Sequence, residues 1–283
     1  MREKKRSKSR GSLITVVISQ IFLIILSVLS LFPFIWMVTS SLKGNAEIFA
    51  YPPKLFPDVP KWENYVKAVV SVNFGRGFFN SMKLTVINAF GQVLTASMAG
   101  YSFAKLKFKG SDLIFAAFIG VMMIPYTVIV IPLFVMFNKL GLVNTHLGIV
   151  LMTFGYMPMG VFMCRQFIMS LPGDLFDAAL IDGASYGRIY FSVVLPLIKP
   201  AIASLAIFAF LWNWNSYFTP MIFLTSQEKY TVPLLLQMFK GKHSADWALI
   251  MAASTISVFP SLIVYLFGQN YIIEGITITG MKA

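Results

Sequence analysis

The sequence predicts an all-α integral membrane protein, and three features carry that prediction: an apolar composition, uncharged runs of membrane-spanning length, and short basic clusters where those runs end. Hydrophobic residues make up 57% of the 283 residues and charged residues 12%. Mean hydropathy is +0.75, outside the range of soluble domains. A helix takes about 20 apolar residues to cross the hydrocarbon core. Six stretches reach that length, at 13–38, 82–104, 113–137, 147–168, 200–224 and 247–268. A basic segment, 1–12, therefore precedes a single transmembrane domain over 13–283.

The first stretch follows MREKKRSKSR and is longer than the apolar region of about 7–15 residues in a secretory signal. It is read as a retained helix whose basic start lies in the cytoplasm. Threading on from there places 1–12, 105–112, 169–199 and the tail from 269 in the cytoplasm, so both termini are cytoplasmic. Residues 39–81, 138–146 and 225–246 fall outside. Lys105, Lys107 and Lys109 in KLKFKG form a second basic cluster on the cytoplasmic side, as orientation by positive charge requires. The net charge of +12 reflects orientation and contact with anionic lipid. Basic residues dispersed along the membrane boundaries exclude nucleic acid as a partner. In the outer segment 39–81, Pro52, Pro53, Pro57 and Pro60 favour extended or turn structure.

No Asp, Glu, Lys, Arg or His lies in the interior of a span; Lys83 and Arg165 sit near span ends. Proton or sodium coupling uses intramembrane ionisable groups, which argues against a secondary transporter and against a charged substrate. The one cysteine, Cys164, excludes an internal disulfide and reads as a small packing residue. No phosphate-binding loop, paired-Cys set, H-E-x-x-H or G-x-S-x-G motif is present. His146 and His243 have no second ligand at metal-binding spacing. The chain is expected to hold no cofactor and no metal and to catalyse nothing itself. Movement of a solute through the membrane remains, and the energy must arrive through a cytoplasmic contact.

Residues 169–199 form the one cytoplasmic segment large enough for that contact. Pro172 and Gly173 open it, and Asp174 and Asp177 fall in a first helical turn, where carboxylates oppose the positive helix end. Ala178, Ala179 and Leu180 continue a closely packing helix. Gly183, after Asp182, ends it through a left-handed backbone, and 185–194 begin a second helix. Tyr186, Tyr190 and Phe191 also suit a structural helix lying on the membrane.

Asp177, Ala178, Ala179, then Gly183, then Val193, Leu195 and Pro196 follow the spacing E-A-A, three residues, G, nine residues, I-x-L-P. In this the chain resembles the permease subunits of bacterial ATP-binding cassette (ABC) importers, and within them the sugar importers. Asp replaces Glu at 177 and Val replaces Ile at 193. The segments FNSMKLTV, AGYSFAKLKFKG, MMIPYTVIVIPLF, WNWNSYFTPMIFL and YIIEGITITGMKA extend the resemblance over essentially the whole chain. It implies a six-transmembrane-helix type I ABC importer permease fold with a cytoplasmic coupling helix, in the bacterial cell (inner) membrane. It implies, as partners, a second homologous permease, two cytoplasmic ATP-binding subunits that carry ATP and Mg, and an extracytoplasmic solute-binding protein that delivers a carbohydrate. Asp177, Ala178, Ala179, Asp182, Gly183, Leu195 and Pro196 would dock on the ATPase, Asp177 meeting a basic groove residue. The tail from Gly275 to Ala283 is similar to tails lying near the junction of the two ATPase subunits. The rivals are a permease for another neutral solute, a peptide or an amino acid, and a non-transport assembly protein of the membrane.

For the substrate pathway, Trp212, Asn213, Asn215 and Tyr217 lie in the outer half of the fifth span. Amides hydrogen-bond hydroxyls and aromatic faces stack on sugar rings. On one continuous helix Trp212, Asn215 and Thr219 would share a face, and Asn213, Tyr217 and Pro220 another. An aromatic belt with interhelical amide bonds is the alternative. Pro125, Pro132, Gly155, Pro158, Gly160 and Pro260 interrupt the spans. Ala96 and Gly100 form a small-xxx-small face, and Gln92 is read as a satisfied interhelical donor.

Overall fold

An uncharged run in a medium without water must satisfy its backbone internally, and the helix does so within one segment. The computed structural model accordingly builds these runs as helices. It describes the backbone of residues 10–240 and 245–280 and the side chains of 15–240 and 245–272. The basic cluster over 1–9, His243 and the tail residues 281–283 lie outside the described residues.

The described residues form two compact units. The first holds the chain up to Ala68 together with Phe239–Ile256. Helix α1, Arg10–Ser41, runs through Pro33 without ending and leaves apolar side chains such as Phe22, Ile24 and Leu29 exposed. Its end is tied rather than frayed. Asn64, on α3 (Glu63–Ser71, after the one-turn α2, Asn45–Ile48), donates through Nδ2 to the carbonyls of Ser41 and Lys43, both at 2.8 Å. This satisfies orphan carbonyls of the helix terminus. Lys43 is fully buried, with Nζ donating to the Lys54 carbonyl at 2.6 Å. Burial pushes that ammonium below the ordinary lysine range, and Glu47 pushes back.

The second unit holds Val69–Met238 and the described residues from Ser257. At its centre is α4, Phe74–Lys105, 32 residues and about 48 Å long at 1.5 Å per residue. Around it run α5 (Ser111–Gly120), a 3-10 turn (Val121–Met123), α6 (Tyr126–Lys139), α7 (His146–Thr153) and α8 (Pro158–Ser170). The chain continues through the cytoplasmic-loop candidates α9 (Asp174–Ile181), α10 (Tyr186–Ile189) and α11 (Leu195–Leu197). Then come α12 (Lys199–Trp214), α13 (Phe218–Phe223), α14 (Val232–Met238) and α15, Trp247–Gly280, which starts in the first unit. The α4–α8 crossing is close because both sides are small. A Cβ on Gly100 would lie 2.6 Å from Cβ of Cys164, and one on Gly160 3.1 Å from Cβ of Ala96. Cys164 is fully buried in that seam with Val161 and Leu205.

Several predicted spans are not straight. Among the described residues three helical stretches are each long and apolar enough to cross a membrane, Thr15–Ser41, His146–Ser170 and Trp247–Ile272. The predicted 113–137 span is a bent pair, Ser111–Met123 and Tyr126–Lys139, meeting at 97°. Ile124 is extended there, as a residue before proline prefers. The predicted 200–224 span also departs from expectation. Its α12 half bends from Tyr186–Leu197 by 81°, because Pro200 has no N–H for the Pro196 carbonyl. It then ends at Trp214, and the chain restarts as α13 with Pro220 in its first turn. The shared faces expected for 212–220 on one helix therefore do not exist. Pro158 opens α8 from its first turn, and Pro132 and Pro260 are carried within helices. The backbone of 269–280, expected as a tail, continues α15.

Candidate functional site

The 169–199 segment folds as two short helices joined by a tight turn. Asp174 and Asp177 occupy the first turn of α9, where N–H groups lack intrahelical acceptors. Its C-terminus closes with two backbone bonds, Ala184 N to Ala179 O at 3.0 Å and Gly183 N to Leu180 O at 3.0 Å. With Gly183 at φ +76° this is a Schellman closure. A β-carbon at 183 would touch nothing within 4 Å, so backbone conformation alone demands the glycine. Ser185 then caps α10, its hydroxyl accepting from Arg188 N, and a π turn, Tyr190–Val194, leads into α11.

The signature residues divide between two faces. Ala179, Ala184, Val193 and Leu195 pack with buried Phe176, Ile189, Tyr190 and Val194 onto Tyr101, Phe167 and Ile168. Asp177, Ala178, Asp182, Gly183 and Pro196 are exposed, beside Ile181 at 85% exposure. The fold thus presents Asp177, Ala178, Asp182 and Gly183 as an exposed acidic and apolar turn, while Ala179 and Leu195 of the predicted docking set lie half-buried in its base.

Three residues on α4 grip that base, and the sequence reading missed their role. Ser97, Tyr101 and Lys105 are four residues apart and share one helix face. The hydroxyls of Ser97 and Tyr190 are 2.7 Å apart. Tyr101 donates to the Tyr186 carbonyl at 3.1 Å and stacks on Phe176, ring centroids 6.5 Å apart. Lys105 Nζ lies 3.8 Å from the Phe176 ring centroid. Burial pushes the Lys105 ammonium down, and the Asp177 carboxylate pushes it back up.

At the other candidate cluster the residues separate. Asn213 donates from Nδ2 to Gln92 Oε1 at 2.9 Å and to the Ala209 carbonyl at 2.7 Å. Gln92 in turn donates to the Thr153 carbonyl at 3.0 Å, where α7 breaks from α8. Asn213 therefore joins three helical elements, and Gln92 is the interhelical donor expected of it. Asn215 is exposed and donates back to Leu211 O at 2.8 Å. Trp212 is 77% exposed, whereas Tyr217 packs partly buried around Phe223. Trp214 is buried and donates to the Ser257 carbonyl at 3.0 Å.

The loop ends on the far side of α4 are knitted by polar contacts. Lys83 Nζ donates to His146 Nδ1 at 2.7 Å, which leaves Nε2–H to donate to the Lys229 carbonyl at 2.9 Å. His146 is thus a structural link. Asn80 donates to the carbonyls of Glu228 and Tyr230. Beside them Asn73, Arg76, Ser226, Gln227 and Glu228 line an open polar cleft of about 410 Å³.

Residues 92–277 match the family described as binding-protein-dependent transport system inner membrane component. The chain is 34% identical over 266 residues to the arabinooligosaccharides transport system permease protein AraQ of Bacillus subtilis, covering 93% of this chain and 94% of that protein. It is 34% identical to the diacetylchitobiose uptake system permease protein NgcG of Streptomyces coelicolor, over 90% of this chain and 85% of that protein. The melibiose/raffinose/stachyose import permease protein MelC of Bacillus subtilis is 33% identical, over 88% of this chain and 91% of its own. In structure the chain superposes with a TM-score of 0.81 and 23% identity on a crystal structure of a bacterial ABC transporter involved in the import of the acidic polysaccharide alginate. That match covers 93% of this chain and 98% of the other, so the two share the all-α type I importer permease fold. The match extends over well more than half of the chain, through α4, the signature loop and α12, and the chain belongs to the binding-protein-dependent transport system inner membrane component family.

Proposed function

We propose that this chain is a permease subunit of an ATP-driven, binding-protein-dependent importer of sugars. It contributes half of the translocation pathway and crosses the inner membrane six times, with both termini in the cytoplasm. A second homologous permease supplies the other half, two cytoplasmic subunits bind and hydrolyse ATP with Mg, and an extracytoplasmic binding protein delivers the sugar. The observation that carries this reading is the Asp177–Gly183 turn, exposed at its tip and packed at its base against α4 and α8. A rigid mount with an exposed tip is what transmission of force from a docked ATPase requires. The substrates for which the relatives are named, arabinooligosaccharides, diacetylchitobiose and raffinose among them, support the sugar class. Exposed Trp212 and Asn215 supply a ring face and an amide of the kind that bind hydroxylated rings.

The test is purification of the tagged chain from membranes of its own host, followed by reconstitution with the co-purified subunits and the binding protein. The expected result is recovery of a second permease and an ATPase, and ATP-dependent uptake of a member of a panel of raffinose, arabinooligosaccharides and diacetylchitobiose. Recovery without any ATPase would overturn the reading. Uptake of a peptide or amino acid alone would replace the sugar and keep the permease.

A further inference from the structure

We infer that Lys105 is a positioning residue for ATPase docking, setting the first turn of α9 through the Phe176 ring and the neighbouring Asp177 carboxylate. The inference rests on the proposed docking role of this loop and goes beyond it, to a residue outside the signature. Ser97 and Tyr101 hold the second half of the segment, through Tyr190 and the Tyr186 carbonyl. Tyr101 also stacks on Phe176, a contact between two rings that carries no charge. The first turn, which carries both acids, has one cation against it, with Nζ 3.8 Å from the Phe176 ring centroid.

The placement follows from α4 itself. Lys105 is in its last turn, where the negative helix end favours a cation, and its backbone is fixed by 32 residues of continuous helix. Phe176 is buried, so its ring presents a desolvated face, and a cation over such a face is held more strongly than one in water. Asp177 is exposed and favours the charged form of Lys105. One ammonium therefore fixes the ring at 176, the residue next to the carboxylate at 177, so the angle at which α9 presents its acids is set from α4.

The test uses the chain with its permease partner in lipid nanodiscs and the purified ATPase subunits as probe, at about 0.5 M NaCl so that long-range charge effects are screened. Lys105→Met keeps the stem and removes the charge. It is expected to weaken ATPase binding about fivefold, the worth of roughly one partly desolvated cation–ring contact, with the thermal midpoint of the permease pair unchanged. Lys105→Arg is expected to restore binding to within about twofold, since a guanidinium also sits on ring faces. Phe176→Leu, which removes the ring and leaves every charge, is expected to weaken binding in the same way, and the double variant to bind no worse than either single one. Unchanged binding with Lys105→Met or with Phe176→Leu would overturn the inference, as would an Lys105→Arg variant as weak as Lys105→Met. A fallen thermal midpoint or loss of the Lys105→Met protein would assign Lys105 a structural role and overturn it equally. If the unaltered chain binds no ATPase, the proposed function fails instead, and the two failures are distinct.

Discussion

Two pairs of residues that look alike in the sequence part company in the fold, and each pair yields a prediction. Asn213 and Asn215 are both amides near the end of α12, but Asn213 answers a buried Gln92 and Asn215 is exposed. Asn213→Leu leaves Gln92 Oε1 buried without its donor, at a cost of about 1–3 kcal/mol, or somewhat less by the measured worth of interhelical bonds in membranes. The expected outcome is a lowered thermal midpoint of the purified complex. Asn215→Leu is expected to leave assembly and ATP hydrolysis intact and to lower sugar uptake; unchanged uptake would remove Asn215 from the pathway. Gly183 and Gly75 make the second pair. A Cβ meets nothing within 4 Å at either, yet Gly183 has φ +76° and Gly75 lies in the first turn of α4. Gly183→Ala carries a left-handed penalty of roughly 1–2 kcal/mol, and Gly183→Pro cannot adopt the conformation at all. Gly183→Pro, like Asp177→Lys, is expected to leave the protein in the membrane while the ATPase no longer co-purifies; normal co-purification of either variant would mean that this turn is not the docking element. Gly75→Ala is expected to stay within about 0.5 kcal/mol of the unaltered protein.

At the scale of elements, α4 is the part that the pattern of residues least resembles and most depends on. Its Asn80, Ser81, Thr85, Asn88, Gln92 and Ser97 are all buried, so it is polar for a spanning helix while lying among other helices. Gly100 lets it approach α8 to the point where a Cβ would meet the Cys164 side chain at 2.6 Å and the Arg165 backbone nitrogen at 2.9 Å. Because one neighbour is backbone, Gly100→Leu has no side chain to push aside. Overpacking of this kind costs about 1–3 kcal/mol, and the expected result is a clear fall in thermal midpoint in detergent; a midpoint equal to that of the unaltered protein would mean that α4 and α8 do not touch there. The small-xxx-small face at Ala96 and Gly100, the donor role of Gln92 and the glycine turn at 183 were legible because each depends on local spacing or on one residue's conformational range. The end of α12 at Trp214 was not, since the run 200–224 is uncharged throughout and carries no charge to mark a break. The grip of Ser97, Tyr101 and Lys105 was not legible either, because its partners lie some 70 to 90 positions away.

For the whole molecule, the six apolar runs and the helical course are related less simply than run-counting implies. Among the described residues three helical stretches are long and apolar enough to cross, and the number rises to five if each bent pair is one span. The remaining predicted run, 82–104, is α4, whose polar side chains are sheltered by protein and so need no apolar solvent around them. The proposed six-span course takes α4 as its sixth crossing. That course takes the Ser111–Lys139 pair, bent by 97°, as one passage, and takes α12 across with Tyr186–Leu197, set off from it by 81°, in the cytoplasmic loop. Reporter fusions decide the point. With the KLKFKG cluster inside, positions near 108, 183 and 280 are expected to report the cytoplasm and positions near 60, 142 and 227 the exterior. If the Ser111–Lys139 pair were instead re-entrant, position 142 would report the same side as 108, the docking turn at 183 would move to the exterior, and no cytoplasmic ATPase could reach it.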